Sequence, residues 1–263
     1  MIRALLALAA LAVPATAFAE TVAIPFAPPL GKALHYRIDQ HRALADRPFH
    51  FVTDRDVRFE KEGDVLLLVA TLRRLDTDAP SAQAAPYRAA LQPLTGVEMR
   101  FVLDPAGRIA SLRDGDAVWA KVTGGLADML RTLPEKSEDR AAALRVRALF
   151  DSLGAEGRIA LLAGEYQPLF LFAGSGVEDG PGRGVRTVAG SPLARPVPVE
   201  GTLRVTGRAP DALDLEEKLA GQGVELGVRY RLSTVTGLVE RQDRTLAAGP
   251  RTLTENRTLT PAD

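Results

Sequence analysis

Three histidines, a serine set between glycines and two acidic pairs are the residues of this 263-residue chain whose types could do chemistry. If residues 33–44 and 49–60 fold as a hairpin at Ala45-Asp46, His41 lies opposite His50, and His35 shares their face six residues from His41. Imidazoles on one face suit a metal ion, but no cysteine or clustered carboxylate completes a first shell. A polar outer surface and no metal are therefore expected there. Gly174-Ser175-Gly176 resembles part of a nucleophile elbow, yet the flanking Ala173 and Val177 stand where glycines are required. The strand–turn–helix context of that motif is missing too. The glycines of 174–184 do not form a phosphate cradle, because no βαβ unit and no following Lys-Ser/Thr accompany them. Glu178-Asp179 and Asp114 with Asp116 are carboxylates of the kind used in acid–base catalysis. Beside glycines they read instead as turn formers and helix caps. The expectation is a protein with no catalytic residue and no cofactor, hence not an enzyme.

The other candidates are aromatic. Tyr36, Phe51, Phe101, Trp119 and Tyr230 fall on the expected concave face of a sheet or on helices facing it. Packing alone accounts for such a set, and so would an apolar pocket for an acyl chain, since curved sheets can enclose one. These five are the candidate ligand-binding residues.

The elements that must position them follow from periodicity. Residues 33–44 alternate with period two, Leu34, Tyr36 and Ile38 against His35, Arg37, Asp39 and His41, which is the signature of a half-buried strand. In the hairpin register above, Arg37 opposes Asp54 and His35 opposes Asp56, and a one-residue slip would lose both pairs and turn the apolar set to water. Val65 to Leu75 is nearly all apolar in its first half, so it belongs in the middle of a sheet. An Ala/Pro/Gln-rich connection follows at 77–93. Strands Val97 to Leu103 and Arg108 to Leu112 flank Asp104-Pro105-Ala106-Gly107, which has the residue placement of a type I turn. From Val118 to Leu133 the apolar spacing becomes three and four, predicting a helix stopped by Pro134. Ser137 is placed to cap a second helix over Val146, Leu149 and Phe150, and a short apolar piece from Ile159 to Phe172 completes a helical insert at 114–173. After a glycine-rich loop at 174–190, strands return. Taking Gly221-Gln222 as a type II′ turn sets Leu219 by Val224 and Asp214 by Arg229. Thr/Leu-rich strands at 238–246 and 251–260 close the chain. The expected fold class is α+β, a curved and mostly antiparallel β half-barrel of about eleven strands whose concave face is covered by the helical insert.

Composition narrows the setting. Lys+Arg and Asp+Glu are equal at 33 each, so no net field favours nucleic acid or an anionic membrane. Arg3, the apolar run Leu5 to Val13, Pro14 and Ala17-Phe18-Ala19 form the three parts of a secretory signal over 1–19. That run is shorter than the roughly 20 residues needed to span a bilayer. The expectation is a single domain over 20–263, exported to the periplasm, with no stable membrane insertion. There is no cysteine, so neither a disulfide framework nor a thiol-linked lipid is available.

Leu103-Asp104-Pro105-Ala106-Gly107-Arg108-Ile109 and Tyr230-Arg231-Leu232-Ser233-Thr234-Val235-Thr236-Gly237-Leu238-Val239 resemble the paired-strand signatures of a family of uncharacterised bacterial envelope proteins. In that family an Asp/Ser-x-x-Gly turn ends a strand before and after a helical stretch. The overall plan is also similar to the half-barrels of periplasmic lipoprotein carriers, although those begin with a helix under the sheet where this chain has a Pro-rich lead-in. The resemblance implies an envelope protein and assigns no ligand residue. Two readings of function follow: a carrier of an apolar or lipid-like small molecule, and an envelope scaffold whose protein partner adds to a strand edge such as 251–260. A hydrolase would have only Ser175 and the acidic pairs to work with.

Overall fold

A computed structural model describes residues 20–44, 47–189 and 197–262. The expected signal at 1–19, the Ala45-Asp46 turn and Gly190 lie outside the described residues. Eleven strands form one open antiparallel sheet: β2 (Ala33–Leu44), β3 (Arg47–Glu62), β4 (Val65–Thr77), β5 (Glu98–Leu103), β6 (Ile109–Leu112), β8 (Arg183–Ala189), β9 (Val197–Ala209), β10 (Ala212–Gly221), β11 (Val224–Ser233), β12 (Val239–Ala248) and β13 (Arg251–Pro261). Their order is β6-β5-β4-β3-β2-β13-β12-β11-β10-β9-β8. Two meanders thus meet where β2 pairs with β13 in the middle of the sheet. The α+β class, the open curved sheet and the strand number are as the periodicity predicted.

The first hairpin has the expected register. Arg37 opposes Asp54, His35 opposes Asp56 and His41 opposes His50. The β10–β11 hairpin differs. Its two-residue loop is Gln222-Gly223, Leu219 opposes Leu226, and Asp214 opposes Arg231. Gln222 and Gly223 have φ of 49° and 77°, and a loop with two positive φ values is type I′, whose twist matches that of the strands. The two-residue shift leaves every side chain on its expected face.

The helices α2 (Gly115–Thr132), α3 (Glu138–Ser152) and α4 (Ala155–Ala163) form the insert. They bury Val118, Trp119, Val122, Leu126 and Phe150 against Leu34, Tyr36, Val57, Phe59, Leu68 and Phe101 of the β2–β5 half. Ser137 caps α3, its side chain accepting from the Arg140 N–H at 3.1 Å. A further helix, α1 (Ser81–Leu91), stands where a connection was expected. It has no side-chain cap, carries Pro86 inside and buries only Ala84, Ala85 and Ala89, so its sequence shows no apolar stripe of large residues. Small side chains let it approach α3, where Ala142 and Ala143 are buried.

The insert does not cover the whole concave face. Over the second half lies a two-stranded sheet of β1 (Glu20–Ile24) and β7 (Ser175–Asp179), which were expected to be coil and loop. Ile24, Val177 and Phe172 close a separate core with Val199, Leu203, Leu215, Leu232 and Val239. Gly237 at φ +74° lets this cover dock, since a Cβ there would sit 1.8 Å from the Pro25 carbonyl oxygen. The strand at 251–260 is not an edge either. As β13 it is flanked by β12 and β2, and the edges are β6 and β8.

Candidate functional site: a charged belt beside a leucine row

The five aromatic candidates do not share a cavity. Tyr36, Phe101 and Trp119 are buried in the helix-covered core. Phe51 packs with Phe49, Ala79 and Ala84 in a small third core, and Tyr230 belongs to the core under β1 and β7. All five are filled positions, tied by ring contacts such as Trp119–Phe150 at 5.0 Å and Phe172–Tyr230 at 5.2 Å. Ser175 donates its hydroxyl to the Phe172 carbonyl at 2.6 Å, which leaves it paired to a backbone oxygen rather than to a base. Asp179 is bonded to Arg208 at 2.6 Å, and Asp114 precedes α2 at a φ of 49°. Glu178 and Asp179 therefore sit in a paired strand rather than a turn, and Asp114 stands at the start of α2 without capping it through its side chain, so neither pair plays the turn-forming or helix-capping role expected of it.

Between the large cores, on the same concave face, runs a row of buried charge that the sequence reading did not single out. Alternation places Arg55, Glu255 and Arg257 on the apolar side of their strands, and all three lie there. The Arg257 Nε donates to Glu255 at 2.7 Å, and its Nη1 donates to the Glu165 carbonyl at 2.9 Å and to the Tyr36 hydroxyl oxygen at 3.1 Å. Tyr36 donates in turn to the same Glu165 carbonyl at 3.1 Å. Arg55 bonds the Glu165 carboxylate at 3.2 Å and the Thr53 hydroxyl. Gln40 donates to the second oxygen of Glu255. Glu165 lies just beyond α4, so the polypeptide that ends the helical cover is fastened to the sheet by these bonds.

Electrostatics follow from burial and pairing. Burial alone would push the Glu255 carboxyl up, but the Arg257 guanidinium and the bonds from Arg257 and Gln40 outweigh it and hold the group below its ordinary value. Burial pushes Tyr166 up to about 12 and raises Tyr36 as well, against the pull of neighbouring arginines. Tyr230 donates to Glu217 at 2.8 Å, and burial with that carboxylate raises its hydroxyl far above the usual tyrosine range. Gln242, cross-strand from both Tyr230 and Arg257, has a buried Oε1 with no hydrogen-bond partner among the described residues. A buried amide oxygen left unmatched costs about 1–3 kcal/mol.

Toward the hairpin tips the concave face changes character. Register aligns Leu219, Leu226, Leu246, Leu253 and Arg42 in one row across five strands. The neighbouring row is Glu217, Val228, Arg244, Glu255 and Gln40. Leu246 and Leu253 are only partly buried, and Leu253 packs into none of the three cores. Arg42 donates to the Gln40 side-chain oxygen at 3.1 Å and lies over the Phe51 ring at 5.1 Å. Neither Arg42 nor Arg244 has a carboxylate within ion-pair distance among the described residues. An apolar strip bordered by two guanidinium groups, Arg42 over Phe51 and Arg244 facing the Glu255 carboxylate, is chemically amphiphilic. The sequence signal for it was present as arginines at core parity, Arg42 in phase with Leu34 and Ile38, and Arg244 in phase with Leu246.

No protein-family model matches this chain, and no curated protein matches it. Among solved structures it is similar to a chain of a structure described as lipid–protein interactions in lipovitellin, at 9% identity and a TM-score of 0.38. That match covers 89% of this chain but only 25% of the other, and a likeness so low carries no inference about ligand or role.

Proposed function

We propose that this chain is an exported, non-catalytic periplasmic protein that binds an amphiphile with an anionic head on the concave face of its sheet. The observation that supports this reading is the leucine row beside Arg42 and Arg244. The apolar part of the ligand lies along Leu226, Leu246 and Leu253, and its head meets the two guanidinium groups. Arginine suits a carboxylate or phosphate because its planar fork donates two parallel hydrogen bonds. The paired charges of Arg257 and Glu255 then serve as a fixed floor. The signal-like residues 1–19 support export.

Titration with a fluorescent long-chain fatty acid tests this reading. Saturable one-site binding is expected, weakened at least tenfold in the double variant Arg42→Glu/Arg244→Glu, with native mass spectra of freshly purified protein carrying bound lipid. Equal binding by the double variant, or none by the wild type, would overturn it. For export, the periplasmic fraction should contain a chain beginning near Glu20, and recovery only with the cytoplasm would rule it out.

A further inference from the structure

The opposite face of the same two strands carries a separate constellation. Asp39 and His41 are two residues apart on β2 and so share the outer face, and His50 on β3 is directly opposite His41. The two imidazoles stack at 4.5 Å between centroids, inclined by 18°. Both Nε2 atoms converge on one carboxylate oxygen, Asp39 Oδ1, that of His41 at 3.5 Å and that of His50 in direct hydrogen-bond contact. One donor atom from each of the three residues lies within 4.8 Å of the others. The sequence reading considered His35 as the third imidazole and assigned no metal. His35 is instead bonded to Asp54 at 3.2 Å, and the third donor is the carboxylate of Asp39.

We propose that Asp39, His41 and His50 form a binding site for one divalent first-row transition-metal ion. Two imidazoles and a carboxylate are the donor set that zinc, copper or nickel prefers, whereas calcium and magnesium require a shell of oxygens. Three protein donors leave the remaining positions to water. The other oxygen of Asp39 accepts from Arg37 at 3.4 Å, and such an outer hydrogen bond orients a ligating carboxylate. The His41 side chain is about half exposed and His50 about a third, so an ion enters from solvent without the fold opening. Because the donors come from both strands of one hairpin, the ion would tie β2 to β3 next to their connection. This site lies on the other side of the sheet from the amphiphile row and does not depend on it.

The test is isothermal titration of the tag-free protein with zinc chloride, alongside the spectrum of a copper(II)-loaded sample. One equivalent is expected to bind, with at least a tenfold loss of affinity in each of His41→Ala, His50→Ala and Asp39→Asn, and no change in His35→Ala. Copper(II) electron paramagnetic resonance should show hyperfine coupling to two imidazole nitrogens in the wild type and to one in His50→Ala. Absence of binding at millimolar zinc would overturn the proposal. So would undiminished affinity in the His41→Ala/His50→Ala pair, or a loss in His35→Ala as large as in the others.

Discussion

The middle of the sheet carries charged residues on both of its faces, and the two sets live under opposite conditions. On the concave side Arg257 and Glu255 are 11% and 3% exposed, whereas on the outer side Arg73 and Asp56 are 59% and 53% exposed at an even shorter separation of 2.5 Å. Contact distance therefore says little about what an ion pair contributes. An exposed pair gains modest Coulomb energy and is screened, contributing about 0–1 kcal/mol. A sealed pair must offset the desolvation of both ions, and it becomes indispensable only in the sense that neither partner can be left alone. On this molecule the outer charges are surface, and the inner ones are architecture.

The sharpest way to break that contrast is Glu255→Ala. It strands Arg257 in the interior and is expected to cost about 3–5 kcal/mol, read as a shift in the urea midpoint. The double variant Glu255→Leu/Arg257→Met should recover most of the loss, since a volume-matched apolar pair removes both desolvation penalties. A cost for Glu255→Ala no larger than that of an exposed pair would erase the distinction.

Acid titration sharpens the same point. The folded-state value of Glu255 is depressed, so its contribution is fully present above its unfolded value of 4.5 and is lost as pH falls through the lower folded value. Unfolding free energy should decline over that window in the wild type and more shallowly in the double variant. A smaller effect is expected of Ser137→Ala, which removes the cap of α3 at a cost of about 1 kcal/mol in the helix-covered half. Smallest of all is Arg73→Ala on the outer face, expected to stay within about 0.5 kcal/mol of the wild type.

The parts legible in the sequence were those where two signals agreed. The β2–β3 register was readable because apolar parity and charge pairing select the same alignment, and α3 because Ser137 marks its start. The β10–β11 register was misplaced because charge pairing tolerates a shift of two, and only the positive φ of Gln222 and Gly223 decides between the options. α1 was missed because burial through alanine leaves no periodic trace of large side chains. β1 and β7 were missed because strands of five residues beside prolines and glycines depend on each other, not on their own patterns. The leucine row with its arginines was partly legible, since Arg42, Arg55, Glu255 and Arg257 occupy core parity. What no single strand reveals is that the row continues across five of them.

The pairing of β2 with β13 bears on how this molecule is made. Each meander contains only neighbours in sequence, and short-range contacts of that kind form quickly. Joining them requires residues 33–44 to wait for residues 251–261, the last strand of the sheet to be synthesised. Until then β2 presents a long row of unsatisfied amides to its surroundings, the condition under which nascent chains pair with each other instead. Pairing with β13 is what satisfies that edge of β2.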